Sequence, residues 1–247
     1  MIWQKAIAII STLALLTPVI IILLTKLYRY KSYLALFVYC FMAFIYNLMT
    51  EDYIDIPGYM KQAWGITNNF LDAPLMLTFL LAFTTSALQR KIILWILLAF
   101  IGFELGVIAW KGYTIEATIV IMGPGISIIF AIALYYFVRY IGKVFMYARV
   151  VGKTLMISAI CFAYGCFTFL YVLYYLMEIH ESPYIFLIYF VISIIYCSFL
   201  STGLVKESKR KKKLEDMLVT RKALQQFFAD EKKPAASDKV TGQWRLN

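Results

Sequence analysis

Seven runs of about 20 predominantly apolar residues, each closed by a short polar stretch, leave this chain few ways to fold. A run of that length is what a helix needs to cross the hydrocarbon of a bilayer. Within lipid, every backbone polar group must be satisfied inside the protein, which a helix does within its own segment. The runs cover residues 6–27, 33–49, 70–88, 92–110, 115–141, 155–177 and 183–205. Only 15% of the 247 residues are charged and mean hydropathy is +0.76, far from the balance of a soluble domain. The reading is all-α: a polytopic membrane protein with a seven-helix transmembrane bundle over residues 1–205, integral to the cell or cytoplasmic membrane.

Charge between the runs predicts orientation. The first run is followed, not preceded, by Lys26, Arg29 and Lys31, so it reads as an uncleaved helix rather than a signal peptide. Arg90 and Lys91 follow the third run, and Lys143, Arg149 and Lys153 the fifth. Glu51, Asp52 and Asp55 follow the second run, with Lys61 the one cation of that loop; Glu178, His180 and Glu181 follow the sixth. Lys111 and Glu116 leave the fourth loop undecided. Cytoplasmic loops carry the excess of Lys and Arg, so the N-terminus is expected outside and the C-terminus in the cytoplasm.

The net charge of +10 would suggest nucleic acid in a soluble protein. Here Lys209, Arg210, Lys211, Lys212 and Lys213 supply much of it directly after the last run, as a membrane flank does, and no nucleic-acid partner is expected. Leu214, Met217, Leu218, Leu224, Phe227 and Phe228 then recur at helical spacing. Residues 206–233 are expected to form a basic amphipathic helix binding anionic lipid, a cytoplasmic protein or a second copy of the chain. Residues 234–247 have the composition of a disordered tail.

Absences narrow the chemistry. Cys40, Cys161, Cys166 and Cys197 all lie within apolar runs without C-x-x-C spacing, and His180 is the one histidine, so neither zinc, bis-histidine haem nor a disulfide framework is indicated. Covalent retinal would need a lysine in the last run, which has none. No nucleotide-binding or kinase motif occurs. No cofactor or metal is expected, and catalysis is the weakest of three readings.

What remains is polarity inside the runs. Glu104 sits between Gly102 and Gly106 in the fourth, where an unpaired charge costs about 2.5–3.5 kcal/mol on the lenient insertion scale. Such a group faces the interior, takes a proton, or finds a cation or donor; Lys111 could reach it only by folding back. Depth counting puts Asp72, Asn69, Tyr46 and Asn47 in the same outer half. Asn69 and Asp72 also imitate a capping box at the start of the third helix. Gly123, Pro124 and Gly125 interrupt the fifth run, as a hinge or as room for close packing. Tyr164, Thr168, Tyr171 and Tyr175 share one helical face, as do Tyr189, Ser193 and Tyr196, either as interhelical hydrogen-bonding glue or as ligand contacts. The favoured function is a receptor or sensor with an outward-facing polar pocket that includes Glu104, Asp72, Asn69, Tyr46, Asn47, Tyr171, Tyr175 and Tyr189. The alternative is a transporter of protons, cations or a small cationic solute. A non-metal lipid-modifying enzyme comes third.

Overall fold

The computed structural model describes residues 2–144, 150–176 and 184–231, and all regular structure among them is helical. Seven helices follow in order: α1 Ile2–Leu24, α2 Lys31–Thr50, α3 Gly58–Leu80, α4 Ala87–Lys111, α5 Ile115–Val144, α6 Val151–Tyr171 and α7 Tyr184–Glu231. Each contains a stretch long and apolar enough to cross a membrane. The acidic loop of Glu178, His180 and Glu181, the position of Arg149 and the tail 234–247 lie outside the described residues.

Two boundaries differ from the sequence reading, for identifiable reasons. The third helix starts at Gly58, not near residue 70, because Lys61, Gln62, Thr67, Asn68 and Asn69 lower hydropathy without breaking helical geometry. The fourth starts at Ala87. Ser86 caps it by accepting from the Gln89 N–H, while the Gln89 side chain accepts from the Thr85 N–H, a variant of the capping box. Arg90 and Lys91 therefore belong to the first turns of α4 rather than to a loop. The Ser-x-x-Gln spacing was present in the sequence and marks this start. Pro18, Pro74 and Pro124 all lie inside helices that continue through them, so the fifth helix is not interrupted at residues 123–125.

The chain forms two compact units, Met1–Ser208 and Lys209–Asn247. In the first, α2 packs on α1 and α3, α5 on α3, α4 and α6, and α4 on α3. Each buried face follows the helical period. On α7 it comprises Ile192, Ser193, Tyr196, Cys197, Leu200, Ser201 and Leu204, continuing to Glu207 and Ser208. In lipid, burial of apolar surface does not drive helix association; close packing and hydrogen bonds do. Gly152 of α6 and Gly203 of α7 bring two backbones together: a Cβ on Gly152 would stand 2.8 Å from the Glu207 nitrogen and 3.0 Å from the Gly203 oxygen.

Both ends of α3 are tied down. At its C-terminal end a 3-10 turn, Leu81–Phe83, leaves carbonyls that a helix end cannot satisfy itself. Lys153 Nζ donates to the Ala82 carbonyl at 2.8 Å and Tyr140 Oη to that of Phe83 at 2.9 Å. At the other end Tyr113 Oη donates to the Ala63 carbonyl at 3.0 Å, lies 2.5 Å from Thr67 Oγ1, and its ring stacks on Phe70. The nearby loop is closed by an ion pair between Lys61 and Asp52.

The second unit is described over residues 209–231 as the C-terminal part of α7. Helix α7 runs through residues 205–206. Lys209, Lys212 and Lys213 are exposed, Arg210 and Lys211 half-buried, and Leu214, Met217, Leu218 and Leu224 exposed.

Candidate functional site

Starting α3 at Gly58 moves Asp72 about four turns into the helix, near the middle of its span rather than in a first turn. The capping-box alternative falls with it. Asn69 Nδ2 donates back to the Gly65 carbonyl of its own helix, at 2.9 Å, and does not reach Asp72. Instead Tyr164 Oη, from α6, donates to Asp72 Oδ1 at 2.5 Å. Tyr39, from α2, lies near the Tyr164 hydroxyl and Asp72. Tyr189 and Tyr196 of α7 are also within electrostatic range of Asp72. Three helices, α2, α6 and α7, thus bring tyrosine hydroxyls toward one carboxylate on α3; Tyr164 and Tyr196 are buried, and Tyr189 is partly exposed.

Glu104 is 7% exposed and lies on the narrow inward stripe of α4 with Ile93, Phe100 and Val107. Phe100, one turn away, sets the spacing to α5 and α3: a Cβ on Gly125 would meet its ring at 3.0 Å and Ala73 Cβ at 3.2 Å. Glu104 Oε1 is buried with no hydrogen-bond partner among the described residues. Asp72 is its charged neighbour, within electrostatic range. Lys111 does not fold back to it; its Nζ is 3.8 Å from Glu116 and lies over the Trp110 ring. Neither Asp72 nor Glu104 has a Lys or Arg ion partner among the described residues.

The other expected site residues divide into two sets. Tyr46, Tyr171 and Tyr175 form a layer nearer the acidic-loop end. The Tyr46 ring covers Gly65, and Tyr171 covers Gly123 while donating to the Ile119 carbonyl at 3.1 Å. Tyr175 stacks at an angle on Tyr171, beyond the point where α6 widens into a π-helical turn, Val172–Leu176, that shifts the register of the tyrosine stripe. Tyr189 is in electrostatic range of both Tyr46 and Asp72 and stacks on Phe167. Asn47 is buried with its Nδ2 unpartnered, and no contact with the carboxylates is recorded for it. The glycines at 123 and 125 serve the approach of Tyr171 and Phe100. A groove lined by Ala131, Leu134, Tyr135, Val138 and Arg139 lies on the outer side of α5, away from these residues.

Sequence reasoning left Tyr39 out altogether and counted Tyr164 and Tyr196 only as stripe positions. For Tyr164 and Tyr196 the stripe was the available signal; for Tyr39 it was the seven-residue spacing to Tyr46 in the same run, which places both on one helical face. Glu207, fully buried against Gly152, was not singled out in the sequence. Among the described residues no three His, Cys, Asp or Glu side chains are grouped as a metal site.

Fold and site together define an all-helical protein with seven helices long and apolar enough to span a membrane, and with acidic and phenolic groups converging between them. No protein-family model, curated protein or solved structure matches this chain.

Proposed function

We propose that this chain is a multi-pass membrane receptor or sensor, with its N-terminus outside and its C-terminus in the cytoplasm. It recognises a small cation or cationic solute at Asp72 and Glu104 and passes its state to the cytoplasmic side through α7. The observation that carries this reading is the composition of the interior: two inward carboxylates, tyrosine hydroxyls around one of them, and, among the described residues, no Lys or Arg paired with either. Intramembrane carboxylates without a protein counter-ion mark sites for a proton or a cation. Tyr46, Tyr171, Tyr175 and Tyr189 line the approach from the acidic-loop side, and tyrosine faces attract cations. The glycines at 123 and 125 supply a place for α5 to bend.

The test is thermal unfolding of the purified full chain in detergent against sodium, potassium, choline and a primary alkylamine. One of these stabilises the wild type, and the stabilisation is absent in Asp72→Asn. Indifference to all four, or an equal response in Asp72→Asn, overturns the reading. The unpartnered Glu104 oxygen favours a second reading, a proton or cation transporter. In proteoliposomes that reading requires a flux that Glu104→Gln abolishes; the receptor reading requires binding without flux.

A further inference from the structure

The basic end of the bundle carries a second polar feature, unrelated to Asp72. On the outer side of α5, Leu134, Tyr135 and Val138 are exposed, and with Ala131 and Arg139 they line a shallow, open apolar groove along that one helix. Its polar end is built, not scattered. Gln89 Nε2 donates to Tyr135 Oη at 3.1 Å, and Arg139 Nη1 donates to the same oxygen at 3.4 Å. The Gln89 amide is held in that orientation because its oxygen already accepts from Thr85, through both N–H and Oγ1. A phenolic oxygen has two lone pairs and one proton. With both lone pairs taken, Tyr135 can only donate, and among the described residues none accepts its proton. Arg139 keeps its remaining N–H donors. The polar end is a cluster of hydrogen-bond donors with a net positive charge.

The surrounding charge has the same sign. Arg90 and Lys91 are exposed in the first turns of α4, and Lys143 follows Arg139 by one turn on α5. No Asp or Glu occurs between residues 73 and 103 or between 117 and 177, so nothing on these segments neutralises them. An apolar groove ending in unmatched phosphate-type donors at the basic end of a spanning helix has the shape of a lipid: chain in the groove, headgroup at the top. Basic residues at the membrane end of a helix attract anionic headgroups, by about 1 kcal/mol each.

We propose that this groove binds an anionic phospholipid of the leaflet at the basic end. Its acyl chain lies along Leu134 and Val138, and its phosphate accepts from Tyr135 Oη and Arg139. The inference requires only that the helices span a bilayer and stands apart from any ligand at Asp72.

The test is native mass spectrometry of the full chain released from nanodiscs of equimolar phosphatidylcholine and phosphatidylglycerol. Lys209, Arg210, Lys211, Lys212 and Lys213 are all changed to Gln, so that the C-terminal cluster does not contribute. This background retains phosphatidylglycerol in preference to phosphatidylcholine. Arg139→Gln lowers the preference about fivefold, the effect of one basic residue near a charged surface. Tyr135→Phe, which leaves every charge in place, lowers the amount of phosphatidylglycerol retained. Inorganic phosphate does not displace the lipid, because the groove holds the chain. Equal retention of both lipids in the background chain overturns the proposal. So does an effect of Arg139→Gln without one of Tyr135→Phe, which reports bulk charge alone. If Arg139→Gln does not fold, Tyr135→Phe decides.

Discussion

Replacing Gly152 by Ala adds one methyl group where two helix backbones meet. The new Cβ would stand 2.8 Å from the Glu207 nitrogen, 3.0 Å from the Gly203 oxygen and 3.2 Å from Glu207 Cα. Non-bonded carbon contacts are comfortable at about 3.5–4.0 Å, so α6 and α7 must part by roughly half an ångström or more. All three obstacles are backbone, and no side chain can rotate away. Overpacking of this kind costs about 1–3 kcal/mol. Alanine returns about 0.5–1 kcal/mol because glycine weakens a helix interior. The net expectation is a loss of about 1–2 kcal/mol, from the difference of those two ranges. Gly102→Ala is the internal control, since nothing lies within 4 Å of its Cβ position. It should be neutral or stabilising by up to about 1 kcal/mol. Both variants are measured by titrating purified protein with a denaturing detergent and following helicity. If Gly152→Ala is as stable as Gly102→Ala, the close approach of α6 and α7 is wrong.

Tyr164→Phe should destabilise by about 0.6–1.7 kcal/mol, the range for interhelical hydrogen bonds in membranes, and a cycle with Asp72→Asn should show coupling of that size. Additive effects would mean that the two side chains do not meet. Glu104→Leu should raise stability by about 1–3 kcal/mol, because it removes a buried oxygen that has no partner, while abolishing any cation response. A destabilised Glu104→Leu would show that the carboxylate is satisfied after all. For orientation, single cysteines at positions 55, 90, 143 and 209 should divide under an impermeant reagent applied to intact cells, with position 55 labelled and the other three protected. Labelling at position 143 would reverse the orientation.

Helix number and chemical class were legible in the sequence because apolar length is a local property, set by the cost of putting backbone polar groups into lipid. Glu104 was legible for the same reason: one carboxylate in such a run stands out wherever the helix packs. Helix ends were less legible. Hydropathy averages side chains, whereas a helix ends where capping and turn geometry end it, as Ser86 and Gln89 do for α4. That difference decided the reading of Asp72. With the third helix begun at residue 70 it is a capping group; begun at Gly58, it is a carboxylate in mid-span.

Only the tertiary structure decided which hydroxyls meet which carboxylate. The rotation of each helix about its axis is set by its neighbours, through contacts such as Gly152 against Gly203, Tyr46 on Gly65 and Phe100 against Gly125. The sequence marks one face of α6 by its tyrosines but not what that face touches. Tyr164 reaches Asp72, whereas Tyr171, about two turns along the same stripe, reaches a backbone carbonyl of α5. Tyr39 shares a helical face with Tyr46 but joins the site only because α2 packs against α3. The composition of the chain therefore determined that polar groups lie between spanning helices, and helix rotation, which no single segment encodes, decided which of them act together.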